Sequence, residues 1–253
     1  MRTLLILFIL LVMTNLFAEW SISGELTHYD IASPGSTISR SFEIINHSDQ
    51  AISIQLKKSD YAFNADGQRW FPEAGKLSRS NSDWIDLSNQ EITIAGNSAK
   101  SISYKVVIPE NKELYGSYWS VIFVQEKTDT ILAKSELQIN KRYAIQSISQ
   151  IGETGELKLS FLKAEFSKKD GSLELKIKNT GQRWTKADVW IEVFDSEGTA
   201  LGKYNAQSLK LYPETSNSSV FNLSHLKKNK YVIIAVADCG NNKIFGSQYN
   251  LEN

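Results

Sequence analysis

The residues best suited to proton transfer, metal ligation and nucleophilic attack are few in this chain and far apart. It has three histidines, His28, His47 and His225, and one cysteine, Cys239. No histidine has a second histidine or a cysteine at the short spacing that wraps ligands around one tetrahedral ion, which argues against zinc. Asp60, Asn64, Asp66 and Gly67 gather oxygen atoms over a short stretch, somewhat like a calcium loop. The ligand offsets and the closing Glu of such a loop are missing, so these residues read as a polar hairpin turn. There is no Gly-x-Ser-x-Gly elbow and no Gly-rich phosphate loop between a strand and a helix. Cys239, between Asp238 and Gly240, reads as a small, partly buried residue at a strand end rather than an activated thiol. Together these absences point away from an enzyme and away from a resident cofactor or metal, and they leave the catalytic set empty.

Aromatic side chains are the second resource for recognition: 6 Trp, 10 Tyr and 11 Phe. Trp20, Trp84, Trp119, Trp184 and Trp190 lie on or beside strand-like segments, where large rings mostly pack as core. Trp70 and Phe71 stand apart, following the Asp66-Gly67 turn and preceding Pro72. Adjacent residues in a strand point to opposite faces, so one of the two is exposed unless residues 72–83 fold over it. Trp70 and Phe71 are therefore candidate binding residues.

The elements that must position these side chains are strands. Residues 37–46 (TISRSFEIIN) put Ile38, Phe42 and Ile44 on one face, and 51–58 (AISIQLKK) do the same with Ile52, Ile54 and Leu56. Residues 99–108 (AKSISYKVVI) repeat the pattern with Ile102, Tyr104, Val106 and Ile108. Such alternation marks antiparallel strands with one buried and one solvated face. Turn chemistry separates them at Pro34-Gly35, Asn46-His47-Ser48-Asp49, Asn64-Ala65-Asp66-Gly67 and Ala95-Gly96-Asn97-Ser98. Residues 109–117 (PENKELYGS) have room for one helical turn, and no long helix is expected.

A long strand is expected over 131–148, with Ile131, Ala133, Leu137, Ile139, Tyr143 and Ile145 on one face. Lys134, Glu136, Gln138, Asn140 and Arg142 fall on the other. The stretch Gln150 to Gly155 breaks the pattern, and a second alternating series follows at 156–166, 172–179, 187–194, 199–204, 218–223, 230–237 and 243–250. Seven short strands over about a hundred residues predict an immunoglobulin-like sandwich. The expected fold class is all-β: two immunoglobulin-like antiparallel β-sandwiches in tandem, over residues 19–150 and 151–253. The halves show no evident sequence repeat.

Ahead of them, Arg2, the apolar run Leu4 to Met13 and the triplet Leu16-Phe17-Ala18 have the layout of a secretory signal peptide. Residues 1–18 are read as that leader, removed after Ala18, because the apolar run falls short of the roughly 20 residues of a spanning helix. The expected location is the periplasm or the exterior, with membrane contact only through the leader. Lys+Arg and Asp+Glu both number 28, so no bulk field draws the chain to nucleic acid or an anionic membrane. A lone cysteine forms no intrachain disulfide, and a hydrophobic content of 42% supplies a core instead.

Two stretches carry a family resemblance. The first is 84–126: Trp84-Ile85-Asp86-Leu87-Ser88, Ile92-Thr93-Ile94-Ala95-Gly96-Asn97-Ser98, Val107-Ile108-Pro109, and Tyr115-Gly116-Ser117-Tyr118-Trp119 opening Ser120-Val121-Ile122-Phe123. The second is 228–250, with Lys230-Tyr231, Ala237-Asp238 and Phe245-Gly246-Ser247-Gln248-Tyr249. Both resemble the periplasmic pilus-assembly chaperones with the PapD-like fold. That resemblance implies a non-enzymatic protein that lends a strand edge to a protein client. In the family, a basic pair in the interdomain cleft anchors the client's terminal carboxylate. Lys141 and Arg142 fall near the place of the last-strand lysine of that pair, whereas Trp20 to Asp30 holds no Arg or Lys to match the first-strand arginine. The candidate binding set is therefore Lys141, Arg142, Trp70 and Phe71. The first domain is also similar to the peptidoglycan-binding module found beside Gram-positive WxL surface proteins, which implies an envelope polysaccharide as the alternative partner.

Overall fold

The computed structural model describes residues 19–127, 141–227 and 229–252. The leader expected at 1–18, with its cleavage after Ala18, and residues 131–140 of the long strand expected at 131–148 lie outside the described residues.

The first alternating series closes into a sandwich. One sheet orders β1 (Trp20–Ser23), β3 (Thr37–Asn46), β9 (Ala99–Val107) and β7 (Ile85–Leu87). The facing sheet orders β2 (Thr27–Ala32), β11 (Arg142–Ile151), β10 (Gly116–Glu126), β4 (Ile52–Ser59) and β8 (Glu91–Ile94). Phe42, Ile44, Ile102, Tyr104 and Val106 from one sheet meet Ile54, Leu56, Ile122, Val124 and Ile145 from the other in one core. These are the inward residues of each period-two pattern, and full burial of each large side chain is worth about 1.5–3 kcal/mol. The chain's first two strands serve both sheets. β1 pairs antiparallel with β3, and after Gly24 at φ 104, β2 pairs parallel with β11. A positive φ of that size is open to glycine at little cost, and it lets the strand change sheets.

Between β4 and β7 the chain makes an excursion over the outer face of the five-stranded sheet. It forms the hairpin β5 (Ala62–Phe63) and β6 (Arg69–Trp70), and its return is held by a single 3-10 turn at Ser82–Trp84. Buried Asp60 organises that return, accepting from the Gly75 N–H (3.2 Å), the Leu77 N–H (2.6 Å) and the Ser80 hydroxyl. No helix forms in the 109–117 segment, where Asn111 instead caps a turn through the Glu113 N–H.

The second series builds another sandwich. One sheet orders β12 (Leu159–Ser167), β13 (Ser172–Asn179) and β17 (Ser216–Asn222). The other orders β15 (Ala200–Asn205), β14 (Thr185–Phe194), β18 (Lys230–Asp238) and β19 (Ile244–Glu252), with β16 (Leu209–Leu211) added at the start of β14. Leu173, Leu175, Ile177, Val189, Ile191 and Ile233 lie in its core. The short β16 is absent from the seven expected strands, because three residues give too little alternation to read.

The two sandwiches share one device that the sequence comparison of the halves does not reveal. Asn46 closes β3 and donates to the carbonyls of Gln50 (2.7 Å), Ile94 (3.3 Å) and Ala95 (3.0 Å). Asn179 closes β13 and donates to the carbonyls of Arg183 (2.7 Å) and Leu211 (3.1 Å). Each side-chain oxygen accepts a backbone N–H two residues on, from Ser48 and Gly181 respectively. Both amides are buried, and each satisfies backbone groups at a corner where the ladder has ended.

Candidate functional site in the cleft between the sandwiches

Several outward side chains of β10 and β11 are buried as well as the inward ones. Trp119 and Ile148 point away from the first core and pack with Phe63 from the hairpin and Tyr212 from the second sandwich. Tyr29, Tyr61 and Trp184 complete this aromatic joint. Tyr212 is its hub, 1% exposed, with ring centroids 5.0 Å from Trp119, 5.7 Å from Phe63 and 6.0 Å from Tyr61. Its hydroxyl donates to Gln146 Oε1 at 2.9 Å. Burial drives the Tyr212 phenol far above its ordinary pKa, so it stays a neutral donor. The Trp184 indole N–H faces the Tyr212 hydroxyl outside hydrogen-bond geometry and is buried without an acceptor.

Backbone contacts fix the angle at this joint. The Ser117 N–H donates to the Gln182 carbonyl (2.8 Å), and the Trp184 N–H donates to Ser117 Oγ (2.7 Å). The approach is so close at Gly116, φ 72, that a Cβ there would stand 2.4 Å from the Gln182 oxygen. The hairpin adds a strap on one side, with the Ala65 N–H on Ser216 Oγ (2.9 Å) and Lys176 paired to Asp66 (2.8 Å). Asp66 therefore serves a cross-domain ion pair, while Asn64 caps its own turn through the Asp66 and Gln68 N–H groups.

Beside the joint lies a groove of about 720 Å³ lined by Tyr29, Glu153, Arg183, Trp184, Lys186 and Cys239 among others. At β2, Lys210 reaches from β16 to the first sandwich. Its ammonium donates to Thr27 Oγ1 (2.7 Å) and approaches Gln146 Oε1 (3.5 Å). Among the described residues it has no carboxylate partner within ion-pair distance. Burial, and secondarily the neighbouring Lys186, lower its pKa, which means that the charged form lacks full compensation here. An anion entering beside Thr27 and Gln146 would supply that compensation.

Above this point the edge of β11 is open. Its pairing with β10 runs from Arg142 opposite Gln125 to Ile151 opposite Gly116, but β2 joins the other side only from Gln146 onward. Residues 142–145 therefore keep one edge without a strand among the described residues.

Arg142, one of the four expected binding residues, belongs to that edge. Arg142 is exposed, with its guanidinium 4.0 Å from the Phe123 ring centre and 5.7 Å from that of Phe71. Phe71 stacks on Tyr61 (5.2 Å) and meets Phe123 edge-on (5.0 Å), leaving Phe71 40% exposed. Trp70, on the opposite face of the hairpin strand, is 44% exposed, so the 72–83 segment leaves both rings open to solvent. Lys141 donates to the Trp20 carbonyl at 2.6 Å and lies over the Trp20 and Tyr143 rings. The structure thus brings Arg142 and Phe71 together. It directs Lys141 to Trp20, in the first sandwich, and seats Lys210, from the second, beside Thr27 and Gln146. Lys210 and Tyr212 were not singled out by sequence. The only signal is the alternation Lys210-Leu211-Tyr212, which turns the outer two residues to one face and Leu211 into the core.

Of the other chemistry-bearing groups, Cys239 lies half-buried at the end of β18, its thiol pushed up by burial. His47 and His225 are exposed, bonded to Ser21 and to Tyr204 respectively. Among the described residues no group of three His, Cys, Asp or Glu side chains converges as a metal site.

No family model matches the chain, and no curated protein matches its sequence. Solved structures do match. A chain in the chaperone–tip adhesin complex of CFA/I fimbriae superposes over 91% of this chain and 98% of its own, with 13% identity and a TM-score of 0.52. The class 5 fimbriae chaperone CfaA superposes over 92% and 99%, with 14% identity and a TM-score of 0.50. In fold, this all-β chain resembles the PapD-like fimbrial chaperones over nearly its whole length.

Proposed function

We propose that this chain is a non-enzymatic, chaperone-like protein of the periplasm, which holds a strand of a secreted or surface-assembled protein along the open edge of β11. The observation that carries the reading is the half-buried, carboxylate-free ammonium of Lys210 at the foot of that edge. A client strand added beside residues 142–145 gains main-chain hydrogen bonds, and its terminal carboxylate gains the Lys210 ammonium. Arg142, Phe71 and Trp70 then flank the client's side chains, with Lys141 at the mouth. Pilus assembly is the setting suggested by the likeness to fimbrial chaperones.

The test is crosslinking in the periplasm of the exporting cell, followed by capture and identification of the partner. Lys210→Gln should lower partner retention about tenfold or more, since a buried charge-assisted contact is lost, and Arg142→Glu should do so at the edge. Unchanged retention in both variants, with native circular dichroism, refutes the reading.

A second reading, binding of peptidoglycan or another envelope polysaccharide, is supported by the exposed Trp70 and Phe71 pair. Sugar rings stack on such faces, and co-sedimentation with purified cell walls that is lost in Trp70→Ala would favour it. Absence of co-sedimentation removes it.

A further inference from the structure

His28 occupies a position that neither the cleft nor the core explains. It lies on β2, 7% exposed, facing the interior of the first sandwich while its neighbours Thr27 and Tyr29 face the cleft. Its Nδ1 is 2.6 Å from the hydroxyl of Tyr104 on β9, itself 1% exposed, and the two rings stack at 5.7 Å. Ser147 of β11 and the Glu25 backbone lie beside the pair. In the tautomer that carries its proton on Nε2, the neutral imidazole accepts the Tyr104 O–H at Nδ1. Burial keeps that phenol neutral, so it is available as the donor.

The charged groups around the ring come from β2, β3 and the turn between β1 and β2. Asp30, on β2 itself, is already held at both oxygens by Arg40 of β3. Arg40 and the exposed Glu25 line a cavity of about 360 Å³ with His28, Ser39, Ser41 and Ser103, so solvent protons reach the site. A proton on Nδ1 would make the ring the donor, force the Tyr104 hydroxyl to turn from donor to acceptor, and set a second cation beside Arg40. The nearest buried carboxylate, Asp30, is already neutralised.

We propose that His28 is a proton switch for the seating of β2: in mild acid the buried imidazole takes a proton beside Arg40, its hydrogen bond to Tyr104 must reverse, and β2 loosens from β11. The contacts that β2 makes across the cleft, Thr27 to Lys210 and Tyr29 to Trp184 at 5.0 Å, loosen with it. The sign follows from linkage. Burial, then Arg40, hold the folded imidazole below its ordinary value of 6.5, so the unfolded chain binds the extra proton more readily. The stabilisation is complete above about pH 6.5 and is lost as pH falls from there toward the folded value.

Amide exchange at residues 27–32, corrected for intrinsic rates, tests this at pH 7.5 and pH 5.0, with β13 as the reference strand. Protection of β2 should fall relative to β13 between the two pH values, by at most about tenfold per pH unit below 6.5 for a single proton uptake. His28→Gln keeps an acceptor and a donor but takes no proton, and its β2 should show no such fall. Imidazole titration by NMR in the unsubstituted protein should place the His28 midpoint below about 6.5. A wild-type β2 that tracks β13, an equal fall in His28→Gln, or a midpoint at or above that value overturns the switch. If the variant does not fold, exchange and titration of the wild type decide.

Discussion

Replacing Tyr212 with alanine should separate the two sandwiches energetically without damaging either core. The ring sits between Trp119, Phe63 and Tyr61 on one side and Trp184 on the other, and it belongs to neither principal core. Removing a fully buried aromatic ring costs about 3–5 kcal/mol, and the lost hydrogen bond to Gln146 accounts for about 1 kcal/mol of that kind of total. A loss of about 4 kcal/mol at the joint lowers the docking equilibrium roughly a thousandfold. The expected calorimetric result is that one unfolding transition becomes two, with the 152–158 connection newly open to protease. Tyr212→Phe keeps the packing and should lose only about 1 kcal/mol, retaining a single transition. Two transitions already present in the unsubstituted protein, or Tyr212→Ala melting as one transition at the original temperature, would refute the claim that this ring couples the sandwiches.

Further outcomes follow from buried polar anchors. Asp60→Ala removes the acceptor for two backbone N–H groups and the Ser80 hydroxyl, so stability should drop by about 3 kcal/mol, with proteolysis appearing between residues 72 and 83. Asn46→Ala and Asn179→Ala should each cost about 2–3 kcal/mol by chemical denaturation, since each leaves buried carbonyls unpaired at a sheet corner. If Asn179→Ala were neutral, the equivalence drawn between the two corners would fail.

The alternation of Ile52, Ile54 and Leu56, or of Leu173, Leu175 and Ile177, was sufficient to read strands and their inner faces. A strand's side-chain period is a local property, and burial of one face enforces it. The hairpin turn at Asn64 to Gly67 was legible for the same reason, because turn residues act over a few positions. The likeness to pilus chaperones could be read from strand-edge motifs that are themselves local. The cleft could not. Lys210 lies 183 residues from Thr27 and 64 from Gln146, and nothing in a three-residue strand announces that its lysine will meet neutral oxygens on another domain. The same holds for the outward face of β10, where Trp119, Val121 and Phe123 are covered by an excursion and a second sandwich. The sequence by itself determined where most of the strands run, which face of each of those is apolar, and the fold class of two sandwiches in tandem. Only the tertiary structure decided which charges lack a partner and which strand edge is unpaired among the described residues, because both depend on contacts between residues distant along the chain.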